Sequence, residues 1–330
     1  MVDDGDDPGR GFLAPLIGDG RPLLLIIAGS LLFAGGFLMF LAATGDLLPQ
    51  DLHYLGMSPE QLCAIASCRV TDFMIHDRAS FGGTLFGLGI LYVWLTVFPL
   101  SRGEQWAWWT WLMSGVLGFT TFLAYLGYGY LDAWHGIGTL LMLPVYAFGM
   151  IRARRLVPGR LDPRCLLRSG GWLTRRDRFS LGRLVLIVGA VAVAASGLII
   201  LRIGIGDTFV PEDLQFIGRT ADEIRNQNPH LVPLLAHDRA GFGGGVVTMG
   251  LTTMVCLWCS PLSRHFNPGV ALAGAVSLSA ALVVHFAVGY TNEFHLAPPV
   301  AAAICLVVGL ALEHPGTPRK ATAHRTATTT

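Results

Sequence analysis

A short polar motif that occurs twice in the chain contains residue types that can bind metals and anions. Residues 76–83 (HDRASFGG) return 161 residues later as residues 237–244 (HDRAGFGG), with one serine replaced by glycine. A neutral histidine ring can ligate a metal or a haem iron, and a neighbouring aspartate can orient that ring. Arginine can pair with a carboxylate, a phosphate or a haem propionate. The motif therefore predicts two equivalent sites, one in each half of the chain.

Two more histidines, His135 and His295, recur at nearly the same spacing, each a few residues after a Gly-Tyr pair. All four histidines stand at the predicted outer starts of helices that run in one direction, so we expect them at one depth near the outer membrane surface. The partial positive charge of a helix N-terminus favours the neutral, metal-binding ring. The candidate ligands of a cofactor or metal are His76, His135, His237 and His295, with Arg78 and Arg239 placed to neutralise an acidic ligand. The side chains expected to orient these rings are Asp77, Asp132, Asp238, Glu293 and His285.

A second interpretation of the same motif needs no ligand. Histidines are common at membrane interfaces, where they are solvated or hydrogen-bonded. Asp77 and Asp238 would then cap helix N-termini, and Arg78 and Arg239 would reach lipid phosphates. The sequence leaves both interpretations open.

The elements that must position these residues are membrane-spanning helices. Hydrophobic residues make up 52% of the chain and charged residues only 14%. Apolar runs long enough to cross a bilayer as a helix recur along the chain, and lipid cannot satisfy open strand edges. We predict eight helices, over residues 22–43, 79–99, 106–128, 135–151, 184–203, 240–259, 269–288 and 295–312.

The arginine distribution predicts the orientation of these helices. Residues 152–183 contain ten arginines and two aspartates, and loops rich in Arg stay in the cytoplasm. Counting helices from this loop places both termini in the cytoplasm and residues 44–75 and 204–236 outside. Each outer loop is expected to hold a short surface helix, since Ser58 and Thr220 are followed by acidic residues as in a capped first turn. Arg is used almost to the exclusion of Lys, which is typical of GC-rich bacteria, so we expect a bacterial inner (plasma) membrane protein.

The repeated motifs predict a duplicated, all-α integral membrane protein. Each copy has an even number of helices, so the two four-helix repeats should be parallel and related by an axis along the membrane normal. Gly83 and Gly87, spaced as in a close helix contact, are expected to serve packing. The expected organisation is a cytoplasmic N-terminal segment over residues 1–21, a first repeat over 22–155, an Arg-rich cytoplasmic linker over 156–183, a second repeat over 184–313 and a disordered cytoplasmic tail over 314–330.

The cysteines fall into two pairs. Cys63 and Cys68 lie in the first outer loop, an oxidising setting that permits a disulfide if a helix break separates them. A disulfide or redox role and two free thiols are both open. Cys256 and Cys259 lie in the sixth predicted helix, where small apolar residues most simply serve packing.

This arrangement resembles the heme A synthase family, whose members have eight helices in two four-helix halves. Each half of those proteins places a histidine pair, on its second and fourth helices, near the outer face. The resemblance is carried by His76 with His135, His237 with His295, and the cysteine pair of the first outer loop. It implies a bis-histidine haem site on the outer side.

The sequence thus favours a membrane protein with a His/Asp/Arg site on its extracytoplasmic side, linked to haem, a metal ion or a quinone. One alternative is a transporter or lipid-handling protein that binds an anionic or hydrophobic small molecule at the same site. The other is a membrane subunit without chemistry of its own. The net charge of +1 gives no indication of a nucleic-acid partner, and the expected partner is the lipid bilayer.

Overall fold

The computed structural model describes residues 18–124, 130, 133–174, 177–261 and 266–314, without the side chains of residues 122–124 and 133–135. The regular elements of this part are helices. The first six are α1 (Arg21–Thr44), α2 (Pro49–Leu55), α3 (Pro59–Ala64), α4 (Arg69–Val97), α5 (Gln105–Ala124) and α6 (Ala133–Ala153). The next six are α7 (Arg178–Ile205), α8 (Pro211–Ile217), α9 (Ala221–Gln227), α10 (Leu231–Cys259), α11 (Phe266–Val288) and α12 (Glu293–Glu313).

Seven stretches of the described residues are long and apolar enough to cross a membrane. They correspond to α1, α4, α6, α7, α10, α11 and α12. Large apolar side chains such as Phe33, Leu140 and Val307 are exposed on their outer faces, as expected where lipid replaces water. The fold is that of a helical, multi-pass membrane protein. The remaining predicted span coincides with α5, which is 20 residues long and rich in tryptophan.

The order of the first six helices returns in the last six. The short helices α2 and α8 each have seven residues, and the long helices α4 and α10 each have 29. A close helix crossing also returns: a Cβ at Gly35 would lie 2.5 Å from the carbonyl oxygen of Gly82, and a Cβ at Gly197 would lie 2.9 Å from that of Gly243. Only glycine permits these approaches, so α1 packs on α4 as α7 packs on α10.

Helices of the two halves pack directly against one another. Helix α4 packs more extensively against α11 of the second half than against α5 of its own, and α10 contacts α5 and α4. A Cβ at Gly83 would come within 2.5 Å of the Ala280 side chain, and Ser277 donates a hydrogen bond to the Gly83 carbonyl oxygen at 2.9 Å. The predicted glycine face therefore does serve packing, but its partner lies in the other half. Helices α4 and α10 are shared by both helix groups.

Each predicted outer-loop segment contains two short helices where one was expected, and the predicted caps at Ser58 and Thr220 are confirmed. Ser58 accepts a hydrogen bond from the backbone of Gln61, and Thr220 accepts one from the backbone of Glu223, each in a reciprocal capping box. We call the end of the molecule that holds α2, α3, α8 and α9 the short-helix end. The opposite end, which holds residues 154–174, is the Arg-rich end.

The predicted linker extends too far towards the C-terminus. Helix α7 begins at Arg178, and Arg183 is a buried helix residue whose Nε donates to Glu313 at 2.6 Å. Its Nη1 donates to the carbonyl oxygen of Leu257 at 2.9 Å. The predicted span began at residue 184 because Arg183 was counted as a linker residue. In the structure its charge is paired with Glu313, so the helix begins six residues earlier, at Arg178. The predicted N-terminal segment up to residue 17 and the tail from residue 315 lie outside the described residues.

Candidate functional site: a buried charge network and a cavity

The motif histidines lie inside long helices rather than at their starts. Helix α4 begins at Arg69 and α10 at Leu231, so His76 and His237 stand about two turns into them. The predicted N-terminal placement of these two histidines is wrong, and the helix-dipole argument does not apply to them, because that effect fades within the first turn. Asp77 and Asp238 likewise do not cap helices.

The motif arginines are bound to carboxylates of the chain itself. Arg78 donates to Asp51 of α2 at 2.5 Å and to Asp238 of α10 at 2.8 Å. Arg239 makes the equivalent contacts, to Asp213 of α8 and, at 3.3 Å, to Asp77 of α4. Each arginine therefore joins a short helix of its own half to the motif aspartate of the other half.

Two tyrosines complete this network. Tyr130 donates to Asp51 and Tyr290 donates to Asp213, each at 2.6 Å. Burial acts to raise the pKa of Asp213, but hydrogen bonds from His295 and Tyr290 and the charge of Arg239 outweigh it and hold that pKa below its usual range. Burial and the adjacent carboxylate raise the pKa of the Tyr290 hydroxyl. Asp213 therefore stays ionised and Tyr290 stays a donor.

The network leaves little room for an external anion. The side chains of Arg78 and Arg239 are only 11% and 6% exposed, and each already has carboxylate partners. Four aspartates face two arginines, which gives a formal charge of about −2 with neutral histidines. In this structure the partners of these arginines are carboxylates of the chain itself rather than an acidic ligand or lipid phosphates.

His76 is paired across the halves, with His285 of α11. Their Nε2 atoms are 3.1 Å apart, and Nδ1 of His76 lies 2.9 Å from Asp77 Oδ1. Nδ1 of His285 lies 2.6 Å from the carbonyl oxygen of Ala281, which can only accept, so this nitrogen carries a hydrogen. All four ring nitrogens of the His76–His285 pair therefore have partners within the chain in this structure.

The other candidate residues have different surroundings. His295 is the third residue of α12 and its Nε2 lies 2.9 Å from the Tyr290 hydroxyl. His237 Nδ1 lies 3.1 Å from Asp238, and its ring meets that of Tyr130 edge-on. Glu293 is exposed in the first turn of α12. The His135 side chain and Asp132 lie outside the described residues. Within the described part of the chain, no group of three or more His, Cys, Asp or Glu side chains is arranged to hold a metal ion.

A cavity of about 480 Å³ opens beside the His76–His285 pair. Along α4 its lining extends from His76 to Leu91, about 22 Å at the rise of an α-helix. Its walls are mainly apolar and come from α4, α7, α10, α11 and α12. The charged and histidine side chains that line it within the described part of the chain lie at the short-helix end: His76, Asp77, Arg239, His285 and His295.

One cavity residue was not identified from the sequence. Ser80 lines the cavity one turn after His76, is 1% exposed, and its hydroxyl has no hydrogen-bond partner among the described residues. The available signal was that Ser80 is the single difference between the two motif copies, where the second has Gly241.

Neither of the two predicted cysteine pairs is among the residues that line the cavity. Cys63 and Cys68 are joined by a disulfide, and the chain between them breaks the helix, with Ala66 and Ser67 at positive φ. Cys256 and Cys259 are free and buried near the Arg-rich end of α10, in agreement with a packing role.

No family model, curated protein or solved structure matches the chain. The resemblance to heme A synthases therefore rests on architecture alone. His76 contacts a histidine of α11, whereas the resemblance pairs it with the fourth helix of its own half.

Proposed function

We propose that the protein binds a neutral amphiphilic molecule of the quinone class in the 480 Å³ cavity. The observation that carries this proposal is the one-sided lining of an apolar channel: among the described residues, its charged and histidine side chains all lie at one end. Ligand pockets of this size are typically apolar, with a few placed polar groups that orient the ligand. A small hydrogen-bonding head would lie at the short-helix end and a hydrocarbon tail would extend towards the Arg-rich end.

The charge of the site favours a neutral head. The nearest arginine, Arg239, is already held by Asp77 and Asp213, and the surrounding network carries more carboxylates than guanidiniums. An anionic head would meet this negative excess in a low-dielectric setting, where it is strongly unfavourable. A quinone head has hydrogen-bonding oxygens and no charge.

We further propose the membrane arrangement in which this site operates. Helix α5 is the eighth span, the two sets of helices are parallel repeats, and the Arg-rich end faces the cytoplasm of a bacterial cell. The arginines of residues 154–168 and the equal helix order of the halves support this. The ligand head would then lie near the extracytoplasmic surface.

Filling the cavity tests the proposal. Ala302 lines the cavity and is 8% exposed, while Val300 on the same helix is 41% exposed and faces outwards. We expect Ala302→Trp to weaken binding of tritiated decylubiquinone to the purified protein at least about tenfold, because the indole occupies the space of the tail. Val300→Trp is the matched control and should bind like the wild type. Absence of saturable binding to the wild type, or equal binding by both variants, would contradict the proposal.

A lipid-handling or transport function is the second candidate, and one observation favours it. Pro298 and Pro299 lie inside α12 and line the cavity. Proline removes backbone hydrogen bonds, and interrupted helices mark the substrate sites of many transporters. Under this function, vesicles containing the protein would move a labelled amphiphile between leaflets faster than protein-free vesicles, and Ala302→Trp would abolish the difference.

A further inference from the structure

The two motif copies differ at one position, and that position faces the cavity. Ser80 lies one turn from His76 on α4, so both side chains point to the same side of the helix. Its second-half counterpart is Gly241, which has no side chain to offer. A second departure from the repeat falls in the same place, since His285 corresponds to Tyr125 in the first half. Both differences therefore modify one cavity.

The Ser80 hydroxyl differs from two other hydroxyls of its helix, those of Thr84 and Thr96. Thr71 of the same helix also has no partner among the described residues, but it does not line the cavity. Thr84 donates to the carbonyl oxygen of Ser80 at 2.9 Å, and Thr96 donates to that of Tyr92 at 2.8 Å. These contacts, to the residue four positions earlier, satisfy a hydroxyl inside a helix. Ser80 makes no hydrogen bond of this kind within the described residues. A buried hydroxyl without a partner costs free energy, so an external partner in the cavity would remove that cost.

We infer that the Ser80 hydroxyl hydrogen-bonds an oxygen of the ligand head and determines which heads the cavity accepts. This inference rests on the proposed function, since it assigns the contact at the polar end of the same cavity. A serine hydroxyl can donate to a carbonyl or accept from a hydroxyl, which suits both a quinone and a quinol. The ring nitrogens of His76 and His285 are already engaged, which leaves Ser80 as the unpartnered hydroxyl beside that pair.

The test uses the natural difference between the motif copies. Decylubiquinone and decylbenzene share a tail and a ring, but only the first has head oxygens. We expect Ser80→Ala to weaken decylubiquinone binding about five- to tenfold and to leave decylbenzene binding unchanged, as for loss of one hydrogen bond. Ser80→Gly, which makes the motifs identical, should behave in the same way. Gly241→Ser is the matched control and should bind both probes like the wild type.

The outcomes separate this inference from the cavity itself. If Ser80→Ala keeps the wild-type preference for decylubiquinone while Ala302→Trp abolishes binding, the role of Ser80 is wrong and the cavity proposal stands. If Ser80→Ala weakens both probes equally, the serine has only a packing role and the inference is also overturned. If the wild type binds neither probe, both proposals fail together.

Discussion

The two halves of the molecule build the same charge network but different surroundings for it. In each, an arginine of the motif joins an aspartate of a short helix to the motif aspartate of the other half, and a tyrosine donates to the short-helix aspartate. Beside the second-half network lies the 480 Å³ cavity, whereas the cavity described beside Arg78 is only about 40 Å³. The shared part therefore holds the helices together, and the part that differs is where we place the ligand.

Because the two networks have the same contacts, replacing the central arginine of either one should have the largest effect on stability. Arg78→Met and Arg239→Met each leave two buried carboxylates without their cation, which typically costs about 3–5 kcal/mol. We expect the melting temperatures of both variants in detergent to fall by a similar, large amount. The measurement is gel filtration of the protein that remains folded after heating. Arg102, about half exposed beside Glu104, provides the control, and Arg102→Met should change stability little.

A strong loss for only one of the two arginines would break the comparison. It would mean that the halves are held by different interactions despite their common contacts. The ion pairs cross between halves, so a variant that does fold should be destabilised throughout rather than in one half.

Lowering the pH should have a smaller effect on stability, through the buried carboxylate of Asp213. The folded-state pKa of Asp213 lies below its unfolded value of about 3.9. Its contribution to stability is therefore complete above that value and is lost as the pH falls towards the folded pKa. We expect the melting temperature of the wild type to fall by several degrees between pH 5 and pH 3. Asp213→Asn should start lower and show a weaker fall over the same interval. If the melting temperature of Asp213→Asn fell with pH as steeply as that of the wild type, Asp213 would not be the source of the acid sensitivity.

Much of the fold could be predicted from the sequence because its signals are local. The apolar runs, the short outer helices capped at Ser58 and Thr220, and the packing role of Gly83 all depend on neighbouring residues. The starts of α4 and α10 could not be predicted in this way. Their first three turns contain Asp, His and Arg side chains that hydropathy treats as solvent-exposed. The charges of the repeated motif are buried there because partners distant in sequence compensate them.

The candidate site was predicted in part. His76, Asp77, Arg239, His285 and His295 were all identified from residue type and repeat position, and they do line one cavity. Their contacts were not, since the sequence could not indicate that α4 packs against α11 of the other half. That crossing, made close by Gly83, places His76 against His285. The separate contact between α4 and α10 gives Arg239 the Asp77 carboxylate.

The most direct test of the central claim is an electron cryomicroscopy structure of the protein saturated with decylubiquinone. The account predicts ligand density in the cavity lined by α4, α7, α10, α11 and α12, with the ring within hydrogen-bonding distance of Ser80 and the tail directed towards the Arg-rich end. Ligand density beside Arg78 and Gly241 instead, or no ligand density in the 480 Å³ cavity, would contradict it.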